Sequence, residues 1–278
     1  MLAEAALLTR QWPAALALDF APRHGRTVIA RRDLLGPLAV QKALYPEGDL
    51  AHVYLLHPPA GLVGGDRLDI SLRAASDSHA LVTTPASGKV YRSAGAQAAQ
   101  SVTLAVAAGA SLEWLPQDTI LFDASRFAAR TRVALAGDAA YLGREQVVLG
   151  RPAHGDDYAT GDADLILEVE VDGAPLLEER LRIAAPSAFM QAPWGLGGRR
   201  VIGTLHAWPA DDLLVDAARA VAAPAGVVVG TTRIERLLCL RCLGDDATAV
   251  RDYLARAWAA LRPAVIGRAP SVPRVWRT

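Results

Sequence analysis

The sequence predicts a mainly β fold, a coiled or layered body rich in antiparallel pairing and followed by about two helices near the C-terminus. Three observations carry this. Apolar and polar residues alternate at period two through most of the first 185 residues, short units recur about every thirty residues, and helical spacing appears only after residue 205.

The alternation is clearest in four segments. Leu68, Ile70 and Leu72 alternate with Asp69, Ser71 and Arg73. Val102, Leu104 and Val106 alternate with Thr103 and Ala105, and Thr131, Val133 and Leu135 with Arg132 and Ala134. Leu165, Leu167, Val169 and Val171 do so against Ile166, Glu168 and Glu170. Turn signals separate them: Gly64-Gly65, Ala108-Gly109, Gly137-Asp138 and Asp172-Gly173. A degenerate repeat overlies the strands, since Leu81, Leu112 and Tyr141 stand 31 and 29 residues apart and each opens a strand after a turn. Repeats built from strands alone suggest stacked coils sharing one core.

Asp211-Asp212, followed by Leu213, Leu214, Ala217 and Val221, predicts a capped amphipathic helix stopped by Pro224. Val250, Tyr253, Leu254, Ala257, Trp258 and Leu261 form one apolar stripe, a second helix expected to end at Pro263. Between them, Val227 to Thr232 and Leu237 to Leu243 read as buried strands, and the tail from Arg268 as extended. No linker interrupts the pattern, so residues 1–278 are expected to form one domain.

Composition excludes several classes. Hydrophobic residues make up 52% of the 278, which suits a folded globular chain. The 29 basic residues balance the 29 acidic ones, giving no electrostatic reason for nucleic-acid or membrane-surface binding. Only Lys42 and Lys89 are lysines, a bias that genomic base composition explains. No run of about twenty apolar residues predicts a membrane span. The N-terminal ten residues carry an acid where a signal peptide needs positive charge, and there are only two cysteines. A cytoplasmic location is expected.

No reactive constellation stands out. Cys239 and Cys242 make a C-x-x-C, but inside a strand residues three apart face opposite sides, so the pair reads as two small buried hydrophobes. Gly88-Lys89-Val90 lacks the earlier glycine and the following Ser or Thr of a phosphate loop. Gly195-Leu-Gly-Gly198 lacks the strand-turn-helix frame of a dinucleotide site. The carboxylates Asp66, Glu113, Asp118, Asp123 and Glu145 admit two readings. They are solvated strand ends, or some line a water-filled interior where oxygen ligands pass a divalent cation along weakly. His57, held against Pro58-Pro59, is either a structural histidine or an imidazole ligand, which suits a late transition metal better than carboxylate alone.

Three dense segments fall between His57 and Asp123: His57-Pro-Pro-Ala-Gly-Leu-Val-Gly-Gly-Asp66, Thr83-Thr-Pro-Ala-Ser-Gly-Lys-Val-Tyr-Arg-Ser93 and Leu112-Glu-Trp-Leu-Pro-Gln-Asp-Thr-Ile-Leu-Phe-Asp123. With Lys42-Ala-Leu-Tyr-Pro-Glu-Gly48, Gly150-Arg-Pro-Ala-His-Gly-Asp156, Arg241-Cys-Leu-Gly-Asp-Asp246 and Pro273-Arg-Val-Trp-Arg-Thr278, they resemble the urease accessory protein UreD (UreH) family. The chain departs from the family at Ala60, where Gly is usual, and at Ala86-Ser-Gly-Lys89, where Gly-Ala-Thr-Lys is usual.

The resemblance implies a coil-like β fold with two helices and a non-enzymatic scaffold role. It implies a complex with UreF-like protein, the UreG-like GTPase and apo-urease, whose carbamylated-lysine site receives nickel during GTP hydrolysis. The chain would have no cofactor of its own and would meet nickel only in transit, along His57, Asp66, Glu113, Asp118, Asp123 and Glu145. Gly64, Gly65, Lys89, Tyr91, Arg92 and Arg151 would be structural motif residues. The competing reading is a β-helical carbohydrate-active enzyme with Asp118 and Asp123 as its acid pair. Such an enzyme wants aromatic sugar platforms, yet only 6% of residues are aromatic.

Overall fold

A computed structural model of the chain describes residues 13–277; the N-terminal stretch weighed above for a targeting signal lies outside the described residues. The chain opens with a hairpin, β1 (Pro13–Arg23) and β2 (Arg26–Leu35), then β3 (Ala39–Val40) and β4 (Ala51–Leu56). Coils follow. The first runs β5 (Arg67–Ala74), β6 (His79–Thr83) and β7 (Gly88–Val90), and the second β8 (Ala98–Val106), β9 (Ser111–Leu115) and β10 (Thr119–Leu121). The third begins with β11 (Arg126–Leu135) and β12 (Ala140–Leu149). A second hairpin, β13 (Gly161–Val171) and β14 (Ala174–Ala185), a one-turn helix α1 (Ala188–Gln191) and β15 (Val201–Trp208) come next. The chain closes with α2 (Asp212–Ala220), β16 (Val228–Ile234), β17 (Leu237–Gly244) and α3 (Ala247–Ile266).

Each coil contributes a strand to each of two facing sheets, and the first two add the short strands β7 and β10 beside the second sheet. The first sheet has the order β14-β13-β11-β8-β5-β1-β2, and the second runs β16-β17-β15-β12-β9-β6-β4-β3 with β10 and β7 alongside. The mainly β, solenoid-like body is thus as the alternation and repeat lead one to expect. A coil re-enters each sheet in the same direction after every circuit, so β1, β5, β8, β11 and β13 pair in parallel, as do β4, β6, β9 and β12. Antiparallel pairing is confined to the flanks, in β1–β2, β3–β4, β13–β14 and the β12–β15–β17–β16 run. The coil corners are tied by an aspartate ladder: Gly109 N–H donates to Asp138 (2.6 Å) and Gly137 N–H to Asp172 (2.8 Å).

The repeat is present, but its first unit is one residue out of phase. Leu112 pairs with Tyr141 as read, yet its partner in β6 is Ala80, and Leu81 pairs with Glu113. Because a strand alternates faces, that single step puts Leu81 outside the sheet pair while Leu112 and Tyr141 pack inside it.

Two apolar cores result. One fills the space between the sheets, and the other lies between the outer face of the second sheet and the helices α2 and α3. All six stripe residues of α3 are buried. The helix does not stop at Pro263 as expected, but runs through it to Gly267, whose φ of +74° closes it. Asp211 caps α2 by accepting from Leu214 N–H (2.9 Å), but Leu213 points outward at 78% exposure and Val215 is buried instead. β16 departs from its buried reading: it is an edge strand, mostly exposed. The tail ends in a turn of 3-10 helix, where Trp276 donates to the Thr83 hydroxyl (2.9 Å) and packs edge-on to Trp258.

Candidate functional site

Alternation decides which polar side chains enter the space between the sheets. On β12 the inward residues are Tyr141, Gly143, Glu145 and Val147; on β15 they are Ile202, Thr204 and His206. Two cavities lie along this interior, of about 290 and about 70 Å³. His57 and Lys89 line the larger, and Glu179 and His206 line the smaller. Ala129, Glu145, Val147 and Leu165 line both, so Glu145 stands at the waist between them. The larger cavity has room for water, with Glu145, His57 and Lys89 as polar groups among mostly apolar walls.

Glu145 accepts from the Thr131 hydroxyl at 2.8 Å, and burial pushes its carboxyl above the ordinary range against that bond. The Trp114 indole also steadies the charged form, although its N–H falls short of hydrogen-bond geometry. No arginine or lysine pairs with Glu145 among the described residues, unlike Glu179 on the wall of the same cavity. Glu179 is held by Arg241 through two bonds (2.9 and 2.5 Å), which keep it below the usual carboxylate range. Burial lowers His57, with Asp66 opposing, and depresses His206 to about 4. Both imidazoles are neutral near pH 7, each with a lone pair to offer. A half-buried carboxyl, two neutral imidazoles and hydroxyls along these cavities can hold a divalent cation loosely.

Of the six residues read as a nickel path, only His57 and Glu145 face a cavity. The others are engaged elsewhere. Glu113 sits on the outer face of β9, since Trp114 takes the inward position. There it accepts from Trp258 Nε1 (2.6 Å) and from Arg262 Nε and Nη2 (3.0 and 2.9 Å), at zero exposure for both charged residues. Arg262 also donates to Glu47 (2.7 and 2.8 Å), which holds His52 at 2.6 Å, so this is a buried network pinning α3 to the coils. Burial drives the Glu113 carboxyl upward, with Arg262 pulling against it. Asp118 is clamped by Arg251 of α3 (3.2 and 2.6 Å). Asp123 accepts from the Thr160 backbone (2.8 Å), and Asp66 accepts from Val63 N–H (2.9 Å) in the turn before β5. With Asp118 and Asp123 both committed to such bonds, the acid pair of a glycosidase is not assembled.

The motif residues fall into two groups. Gly65 takes a φ of +97°, and a side chain on Gly64 would meet the Ser93 hydroxyl at 2.3 Å, so both glycines belong to a tight turn. Tyr91 packs edge-on to Phe122, and Arg151 stacks over the Phe122 ring at 3.8 Å while also donating to Asp156 (3.2 Å). Arg92 bridges to Ser125 through the backbone, and Lys89 lines the larger cavity. Sequence reasoning missed Glu179 and His206. Their signal was available in the alternation, because Glu179 shares its face with Leu181 and Ile183, and His206 with Ile202 and Thr204.

The cysteines behave as the alternation requires. Cys239 packs in the core between the sheets and Cys242 in the core under the helices. Both are free, and burial pushes Cys242 up to about 12. Among the described residues no three His, Cys, Asp or Glu side chains come together as a metal site, and no helix is long and apolar enough to cross a membrane.

Fold and site define a class: a solenoid-like β scaffold, backed by helices, with mostly apolar interior cavities that carry a few polar groups. A sequence model of the UreD urease accessory protein family matches residues 13–277. The chain is 46% identical over 276 residues to the urease accessory protein UreD of Alkalilimnicola ehrlichii, covering 99% of this chain and 94% of that one. It is 42% identical to the UreD of Citrobacter koseri, with 98% and 93% covered, and 41% identical to that of Klebsiella aerogenes, with 98% of each covered. The chain belongs to the UreD family of urease accessory proteins, and so to the machinery of urease maturation.

Proposed function

We propose that the chain is a non-catalytic, cytoplasmic scaffold, acting as a single domain, through which nickel reaches apo-urease within a complex with UreF-like and UreG-like proteins. The observation that carries the reading is Glu145, a half-buried carboxylate with no basic partner among the described residues, which lines both interior cavities. An ionised carboxylate in such a place is costly unless a cation joins it. Two cavities that share this group in their walls would give a cation a route along the interior. Holding is weak because few donors converge, and a carrier must release what it captures. Nickel is cargo here, and GTP hydrolysis belongs to the UreG-like partner, since the chain has no phosphate loop.

The contacts with partners would use exposed apolar surface. Trp194 is 76% exposed beside α1, Leu213 stands out from α2, and Val228 and Ile234 lie on the β16 edge. Edges and patches of this kind are surfaces that a partner covers. The test is Glu145→Gln, which keeps shape and hydrogen bonding but removes the charge. Urease activation at limiting nickel should fall about tenfold or more, the scale of losing a metal-orienting group, while the accessory complex still co-purifies. Full activation in that variant would sink the passage.

A further inference from the structure

We infer that His206 supplies a second donor beyond the waist, so that Glu145 and His206 form a two-donor stop that favours nickel over harder divalent cations. This rests on the reading that nickel crosses the interior, and it assigns a role to a residue that reading does not use.

His206 is 5% exposed, and its Nε2 has no hydrogen-bond partner. Orphaned polar atoms in a closed interior are rare, and each calls for a ligand or a water. His206 lines the smaller cavity together with Glu145. Register brings the two close: Glu145 lies opposite Thr204 and Gly143 opposite His206, so Glu145 and His206 are diagonal neighbours on one face of adjacent strands. Gly143 presents no side chain there, and the Tyr141 hydroxyl fills the place that a Cβ on Gly143 would take, 1.9 Å from it, so a phenol oxygen stands beside the two donors on the same cavity wall. Glu179 also lines the cavity, but Arg241 occupies both its oxygens.

Carboxylate and water alone suit magnesium, calcium and manganese, whereas an imidazole nitrogen shifts preference toward nickel, copper and zinc. Two protein donors are fewer than a structural metal site uses, which suits a pause more than storage.

The experiment compares the full-length chain with His206→Asn and Glu145→Gln. It uses equilibrium dialysis against Ni²⁺ and Mn²⁺ separately, and nickel-edge X-ray absorption on the Ni²⁺-loaded wild type and His206→Asn. The expected result is imidazole scattering in the wild type, and Ni²⁺ affinity about tenfold lower in His206→Asn with Mn²⁺ affinity unchanged. Glu145→Gln should weaken both metals. Imidazole scattering that persists undiminished in His206→Asn would overturn the proposal and leave the passage standing. Absence of imidazole scattering from the wild type would overturn it as well, without needing any variant to fold. If Glu145→Gln also leaves both affinities unchanged, the passage falls with it.

Discussion

At the scale of single residues, the acids of this chain divide by what stands beside them. Glu113 and Asp118 have arginine partners from α3, so their task is structural. Removing one partner of a buried ion pair leaves the other uncompensated, at a cost of about 3–5 kcal/mol. Glu113→Ala should therefore lower the melting temperature and soluble yield together with urease activation, whereas Glu145→Gln should leave the melting temperature near wild type. An unchanged melting curve for Glu113→Ala would contradict the assignment. His206 gives a pH signature. Its folded-state value near 4 lies below the ordinary 6.5, so the unfolded chain takes up the proton first as pH falls. That contribution is full above pH 6.5 and is lost progressively toward pH 4, in all about 3 kcal/mol for that shift. His52, His57 and His79 are also lowered and act in the same sense, while the raised Glu145 acts in the opposite one. Denaturant melts at stepped pH should show His206→Asn losing less stability than wild type between pH 6.5 and 4; parallel curves would refute this.

At the scale of elements, local pattern was a good guide wherever one face is buried and the other is not. The strands β5, β8, β11 and β13 and the stripe of α3 were legible for that reason. The failures have separate physical causes. A one-residue phase error in β6 was invisible because Ala80, Leu81 and Val82 are all apolar and both faces of that strand are covered. Pro263 was read as a stop, although its position near the helix end sacrifices few hydrogen bonds and Gly267 supplies the closure. Glu113 looked available because sequence cannot reveal that Trp258 and Arg262, some 145 residues later, would meet it. The cysteines were placed correctly by alternation alone, which leads to a plain expectation. Neither thiol should react with a disulfide reagent in the native protein at pH 8, and both should react once it is unfolded. Rapid native labelling of either would mean that β17 is not held as described.

At the scale of the whole molecule, parallel coils make a long covered interior, and the helices and tail seal one outer face. Such a body can surround a passage without a mobile lid, because the walls are strand faces locked by the ladder. Topology was only partly legible. Alternation told which residues face inward, but not that two inward rows from β12 and β15 would stand beside each other with Glu145 at their junction. That junction is the basis for reading this UreD family member as a conduit for nickel as well as a platform for partners. The most direct measurement is the nickel content of urease purified from cells with and without this chain, grown at limiting nickel. The account predicts that urease made without the chain is assembled but nearly nickel-free and inactive. Normally metallated, active urease in its absence would contradict it.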